Sequence, residues 1–220
     1  MTFIPVKRMR AALVVVLLAM FVAGCVTNTD SRFAREADRD KAVRNYVQLG
    51  TAYIGQNNLE RARHHLERAL ELSPDDPGAL AAMGLIYNAE GEPELAERSF
   101  RESLDSDQGY TRGRVYYGAF LYGAGRFEDS REQFLAASRD TSYNDRASVF
   151  FNLGLTEERI GNLEGATTAY RRAVELSRGD AKSLLALSRT LVESGELQAA
   201  SRHYSRLMTL MQRNQNLRHS

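Results

Sequence analysis

YVQLGTAYIGQNNLERARHHLERALELSP, residues 46–74, reads as two amphipathic helices joined by a short turn. Tyr46, Leu49, Gly50 and Tyr53 fall at i, i+3, i+4 and i+7, one face of a first helix. Ala62, Leu66 and Ala69 line one face of a second helix, and Pro74 marks its end. The unit recurs along the chain. Gly50, Gly84 and Gly118 are 34 residues apart (84−50, 118−84), Gly154 follows after 36, and Ser188 after another 34. A glycine inside a helix costs ~1 kcal/mol relative to alanine, so four in one slot need a packing reason. Two antiparallel helices cross there too closely to admit a side chain. The second helix has its own small slot, filled by Ala62, Ala96, Ser130, Ala166 and Ala200. Four residues after each stands a bulky partner: Leu66, Phe100, Phe134, Tyr170 and Tyr204.

An aromatic residue, Leu-Gly, Tyr, Ala, a large apolar residue and Pro, in that order, is the tetratricopeptide-repeat (TPR) signature. The predicted fold is all-α, a right-handed superhelical array of about five helix-turn-helix repeats at roughly 43–76, 77–110, 111–144, 147–180 and 181–214. Tyr46, Leu80, Arg114, Phe150 and Leu184 fill the leading aromatic slot. The fifth repeat is degenerate, with Ser188 for Gly, Leu191 for Tyr and Gln212 where Pro is usual. A polar tail, 215–220, closes the chain.

Residues 1–24 read as a secretory signal: Lys7, Arg8 and Arg10 precede the apolar run 11–23. That run is short of the ~20 residues that span a bilayer. It ends in Val22-Ala23-Gly24-Cys25, which resembles the bacterial lipobox, where the signal is cut before the cysteine and the thiol takes a diacylglycerol by thioether. Several acyl chains on Cys25 would anchor stably where one is marginal. Val26, in place of an aspartate, points to the outer membrane facing the periplasm by the sorting rule for such lipoproteins. Residues 25–42 are then the lipidated cysteine and a polar tether, with Asp38 or Asp40 expected to cap the first helix.

Composition narrows the functional classes. Without Lys7, Arg8 and Arg10 the chain carries 26 basic against 28 acidic residues, a net charge of −2, and it has no basic stripe for nucleic acid. One cysteine excludes an internal disulfide framework. His64 and His65 are adjacent on a helix, about 100° apart, so they do not chelate as an i, i+4 pair would. No phosphate loop, zinc motif or nucleophile elbow is present. Neither enzyme, metal, cofactor nor small-molecule substrate is expected.

The expected site is the concave strip on the first helices, on faces turned away from the second helices. Val47 and Ile54 represent repeat one, Leu85 and Asn88 repeat two, Val115 and Tyr122 repeat three, and Phe151 and Leu155 repeat four. The strip is apolar for a surface that should face water, and suits an amphipathic helix or an apolar extended segment. Some of these residues could equally be core between repeats.

The wording of the middle repeats is more specific than the TPR pattern. Tyr117-Gly118-Ala119-Phe120-Leu121-Tyr122 with Gly125-Arg126-Phe127-Glu128 resembles the type IV pilus biogenesis lipoproteins of the PilF/PilW family. So does Ala136-Ala137-Ser138-Arg139-Asp140-Thr141-Ser142-Tyr143 with Arg146, Val149-Phe150 and Asn152-Leu153-Gly154-Leu155. The resemblance implies a pilotin: an outer-membrane lipoprotein that binds the pilus secretin and promotes its localisation and multimerisation. The family continues into a sixth repeat, whereas this sequence carries a degenerate fifth, which bears on capping of the array. The alternative is a TPR lipoprotein scaffold for cell-wall enzymes or outer-membrane protein assembly.

Overall fold

The computed structural model describes residues 27–218, and the side chains of residues 33–213. Within them are ten helices and no strand: α1 Thr27–Gly55, α2 Leu59–Leu72, α3 Pro77–Ala89, α4 Pro93–Ser106, α5 Thr111–Gly123, α6 Phe127–Ser138, α7 Arg146–Ile160, α8 Leu163–Leu176, α9 Ala181–Glu193 and α10 Leu197–Arg218. The signal segment and Cys25 lie outside the described residues.

The glycine slot does what its spacing implied. A Cβ at Gly50 would lie 2.6 Å from Leu66, at Gly84 2.7 Å from Phe100, at Gly118 3.1 Å from Phe134 and at Gly154 2.5 Å from Tyr170. Each is the bulky partner of the same repeat, and all four partners are buried. In repeat three the small slot adds a polar lock, since Ser130 Oγ donates to the Gly118 carbonyl at 2.8 Å across the crossing.

A second ladder sits in the turns between paired helices. Asn57, Gly91, Gly125, Gly161 and Gly195 all have positive φ, and they recur at 34, 34, 36 and 34 residues (91−57, 125−91, 161−125, 195−161). The next residue's N–H then reaches the carbonyl five positions back, in 58→53, 92→87, 126→121, 162→157 and 196→191, at 2.8–2.9 Å. These bonds satisfy orphan carbonyls at each first helix's end; glycine adopts the required left-handed backbone without steric penalty, and asparagine tolerates it better than other residues. Second helices start on Asn58 and Asn162, whose side chains accept from Arg61 N and Gly165 N; first helices start on Asp76 and Asp180, which cap α3 and α9.

Ion pairs tie each repeat to the next. Arg63 meets Glu90, Glu97 meets Arg126, Arg131 meets Glu157, and Glu158 meets Arg189. Glu157 is the buried member of this set; its second oxygen accepts from Asn162 Nδ2 at 2.8 Å, the residue that also caps α8. The two extra residues in the third interval lie in the 139–145 connector. Asp140 folds it back by accepting from Thr111 Oγ1 at 2.6 Å and from Ser142 N and Oγ at 2.9 and 2.6 Å. These Ser142 bonds, then that from Thr111, hold the Asp140 carboxyl below its usual range.

Four expectations are corrected. Asp38 and Asp40 lie within α1, which begins at Thr27, so neither caps the first helix. Leu49 is 45% exposed, although its counterparts Met83, Tyr117, Leu153 and Leu187 are buried, because no second helix precedes α1 among the described residues to cover it. Tyr204 is 52% exposed, although its counterparts Leu66, Phe100, Phe134 and Tyr170 are buried, because no further repeat lies over it among the described residues. The C-terminal stretch continues as helix to Arg218, so α10 is 22 residues long where α8 has 14.

Candidate functional site

The concave strip is built by first helices that touch in chain order, α1 on α3, α3 on α5 and α5 on α7. This stacking sets side by side residues that are 34–36 apart in sequence. Val47, Ile54, Leu85, Val115, Tyr122 and Leu155 are all half-buried, and Asn88 is exposed. Each of the six apolar residues except Tyr122 also packs its inner side on a core cluster, so the strip is at once core edge and surface. Phe151 is corrected: at 7% exposed it belongs to the core, its ring 5.6 Å from that of Tyr170, with Lys182 Nζ 3.9 Å above it. Leu155, half-buried one turn on, carries the surface there.

Polar chemistry in the strip centres on the last two first helices. Glu158 of α7 accepts from the Tyr170 hydroxyl at 3.0 Å, from Arg189 Nη2 at 2.8 and 2.9 Å, and from Thr190 Oγ1 at 2.9 Å. Burial, then the neighbouring Glu158 charge, raises the Tyr170 phenol above its ordinary range. That makes Tyr170 a fixed donor rather than a proton-transfer group. Arg159 sits over Phe127 at 4.3 Å and over Tyr122 at 5.8 Å, and those two rings meet edge-on at 5.4 Å. Tyr122 is thereby held in place as a rigid, amphipathic surface group. Arg189 of α9 is the charge partner of Glu158. The spacing of Glu158 and Arg189, 31 residues, could have pointed to the pair once the repeats were aligned.

His64 is exposed and His65 half-buried, the latter stacked on Tyr53 at 5.4 Å and near Tyr46 at 6.1 Å. Among the described residues no three His, Cys, Asp or Glu side chains are placed to hold a metal ion. No described helix is long and apolar enough to cross a membrane. An apolar hollow of about 520 Å³ was not anticipated from the sequence; Leu185, Val192, Leu197 and Tyr204 line it with Arg189, at the α9–α10 end.

The likeness to known proteins is specific. The tetratricopeptide repeat family matches residues 47–111 and 121–181. The type IV pilus assembly protein PilF of Pseudomonas aeruginosa is 36% identical over 196 residues, covering 89% of this chain and 77% of that protein. The solved structure of Pseudomonas aeruginosa PilF superposes with a TM-score of 0.73 at 33% identity, over 78% of each chain. The structure of PilW, a widely conserved type IV pilus biogenesis factor, superposes with a TM-score of 0.67 over 77% of this chain and 78% of that one; at 22% identity it speaks to the fold.

Proposed function

We propose a function from one premise: the chain belongs to the tetratricopeptide-repeat proteins of type IV pilus biogenesis. Its role there is that of a pilotin. Cys25 carries the acyl chains that hold it at the periplasmic face of the outer membrane, and the array binds a secretin subunit and promotes secretin multimerisation. The observation that carries this proposal is the continuous strip of Ile54, Leu85, Tyr122 and Leu155 on first helices stacked in order. Half-exposed apolar groups on a rigid scaffold suit an apolar or amphipathic protein segment. The one carboxylate at the centre of a polar cluster there, Glu158, is already engaged by three donors.

Cells lacking the gene should keep secretin monomer and lose heat-resistant secretin multimers on a gel. A Leu85→Glu, Tyr122→Ala chain should reproduce that loss while its helical circular dichroism stays intact. Unchanged multimers in both strains would replace the pilotin role with that of a scaffold for other envelope proteins.

Lipid anchoring has its own test. Cys25→Ala should leave the array folded and remove it from the outer-membrane fraction. Recovery of that variant in the outer membrane at the wild-type level would rule out the thioether anchor.

A further inference from the structure

At the edge of the strip, α5 holds a cation without a carboxylate partner. Arg112 shares a helical face with Val115, Ala119 and Tyr122, at i, i+3, i+7 and i+10. It is exposed, and among the described residues it forms no ion pair. Three half-buried phenols surround its guanidinium instead: Tyr110, Tyr116 and Tyr143, the last with its hydroxyl in hydrogen-bonding reach. The rest of the strip has the same sign. Arg44 and Lys182 stand in the slot of Arg112 in repeats one and five (112−68, 112+70), also without an ion pair among the described residues, and Glu158 is matched by Arg189.

Tyr110 is placed there at the expense of a helix cap. It occupies the N-cap position of α5 and makes no capping bond, whereas Asp76 and Asp180 cap α3 and α9 from the same position. Its side chain fills space that two glycines leave. A Cβ at Gly113 would lie 2.7 Å from Tyr110 Cδ1, and one at Gly78 would lie 3.3 Å from the Tyr110 hydroxyl and 3.2 Å from Val47 Cγ1. The hydroxyl thus stands at the edge of the strip, near Val47. Neither the Tyr110 nor the Tyr116 hydroxyl forms a hydrogen bond among the described residues. Burial pushes the Tyr110 phenol up to about 12 and raises that of Tyr116, so both keep their protons at neutral pH and can donate.

On the reading of the strip as the partner site, we propose that Arg112 and these three tyrosines form a pocket for one carboxylate, an Asp or Glu side chain of the bound protein segment. The guanidinium offers a planar fork that matches a carboxylate, and the phenols add neutral donors beside it. A hollow of about 390 Å³ opens here, lined by Tyr110, Arg112 and Tyr143 with Asp107 and Asp140. Asp140 accepts from Thr111 and Ser142, and Asp107 from Gly109 N, so both of these carboxylates already have donors. Their charges also disfavour a phosphate, which would bring roughly two negative charges to a single cation.

Fluorescently labelled, overlapping peptides that tile the pilus secretin are the probe, titrated with the full chain in detergent and read by anisotropy. A peptide whose binding Tyr122→Ala weakens should lose about tenfold in affinity on Arg112→Gln, at unchanged helical circular dichroism. Changing one particular Asp or Glu of that peptide to its amide should weaken binding to the wild type by the same factor and leave binding to Arg112→Gln unchanged. Equal affinity of wild type and Arg112→Gln for a peptide that still needs Tyr122 would overturn the pocket and leave the strip as the partner site. So would a loss on Arg112→Gln that no amide change in the peptide reproduces, or Arg112-dependent binding of inorganic phosphate with peptide binding unaffected. If no peptide binds in a way that Tyr122→Ala weakens, the pocket and the partner site fall together.

Discussion

Gly154→Leu is expected to destabilise the array by about 3 kcal/mol or more. The ideal Cβ at position 154 would lie 2.5 Å from Tyr170 Cε1 and 2.6 Å from Cδ1, well inside contact distance. The ring cannot swing aside, because Tyr170 is fully buried and its hydroxyl donates to Glu158. The helices must therefore separate, opening the cluster that Tyr170 shares with Phe151, Leu184, Leu187 and Leu191. Even Gly154→Ala should lose about 1–2 kcal/mol, since the ~1 kcal/mol gain in helix propensity only partly offsets overpacking. Gly118→Ala should be close to neutral. Its Cβ would meet the Phe134 ring at 3.1–3.2 Å, which a shift of a few tenths of an ångström relieves. Urea midpoints should therefore fall in the order wild type and Gly118→Ala, then Gly154→Ala, then Gly154→Leu. Equal midpoints for the two alanine variants would mean that the crossing distance does not differ between repeats three and four.

Glu97→Gln is expected to lower stability at pH 7 by about 1–2 kcal/mol and to flatten the acid limb of the stability curve. The Arg126 guanidinium, first, and then the Tyr117 hydroxyl and Arg101 hold the Glu97 carboxyl down at about 2, against its ordinary 4.5. The unfolded chain thus binds the proton more readily than the folded one. The contribution is complete above pH 4.5, declines as pH falls, and is gone below about 2. The full shift would correspond to about 3 kcal/mol, discounted because Arg126 keeps 39% of its side chain in solvent. The Glu97–Arg126 pair bridges repeats two and three, so its loss should loosen that junction first. Urea midpoints from pH 7 to pH 2 should show the gap between wild type and variant closing below pH 4.5. A gap that stays constant over that range would exclude the carboxylate as its source.

Some of the site resisted reading from the sequence for an identifiable reason. Phe151 and Leu155 lie one helical turn apart and look alike in the pattern, yet Phe151 is core and Leu155 is half-exposed. The packing of α7 on Tyr170 and on the next repeat decides between them, and no spacing records it. Glu158 is similar: its three donors come from α8 and α9, and only the stacking of repeats brings them to one carboxylate.

The amino-acid sequence determined the repeat, its period and the partner of each glycine, because a close helix crossing and a left-handed turn are local demands met by particular residues at fixed intervals. Gly50 with Leu66 and Gly154 with Tyr170 were legible on those grounds, as was the two-residue insertion before repeat four. The tertiary structure alone decided which copies of a repeated residue are buried. Leu49 and Leu187 occupy the same slot, as do Tyr204 and Tyr170, and one member of each pair is exposed. In a stacked array a side chain is covered by the neighbouring repeat, so its burial depends on position in the stack rather than on the residue itself.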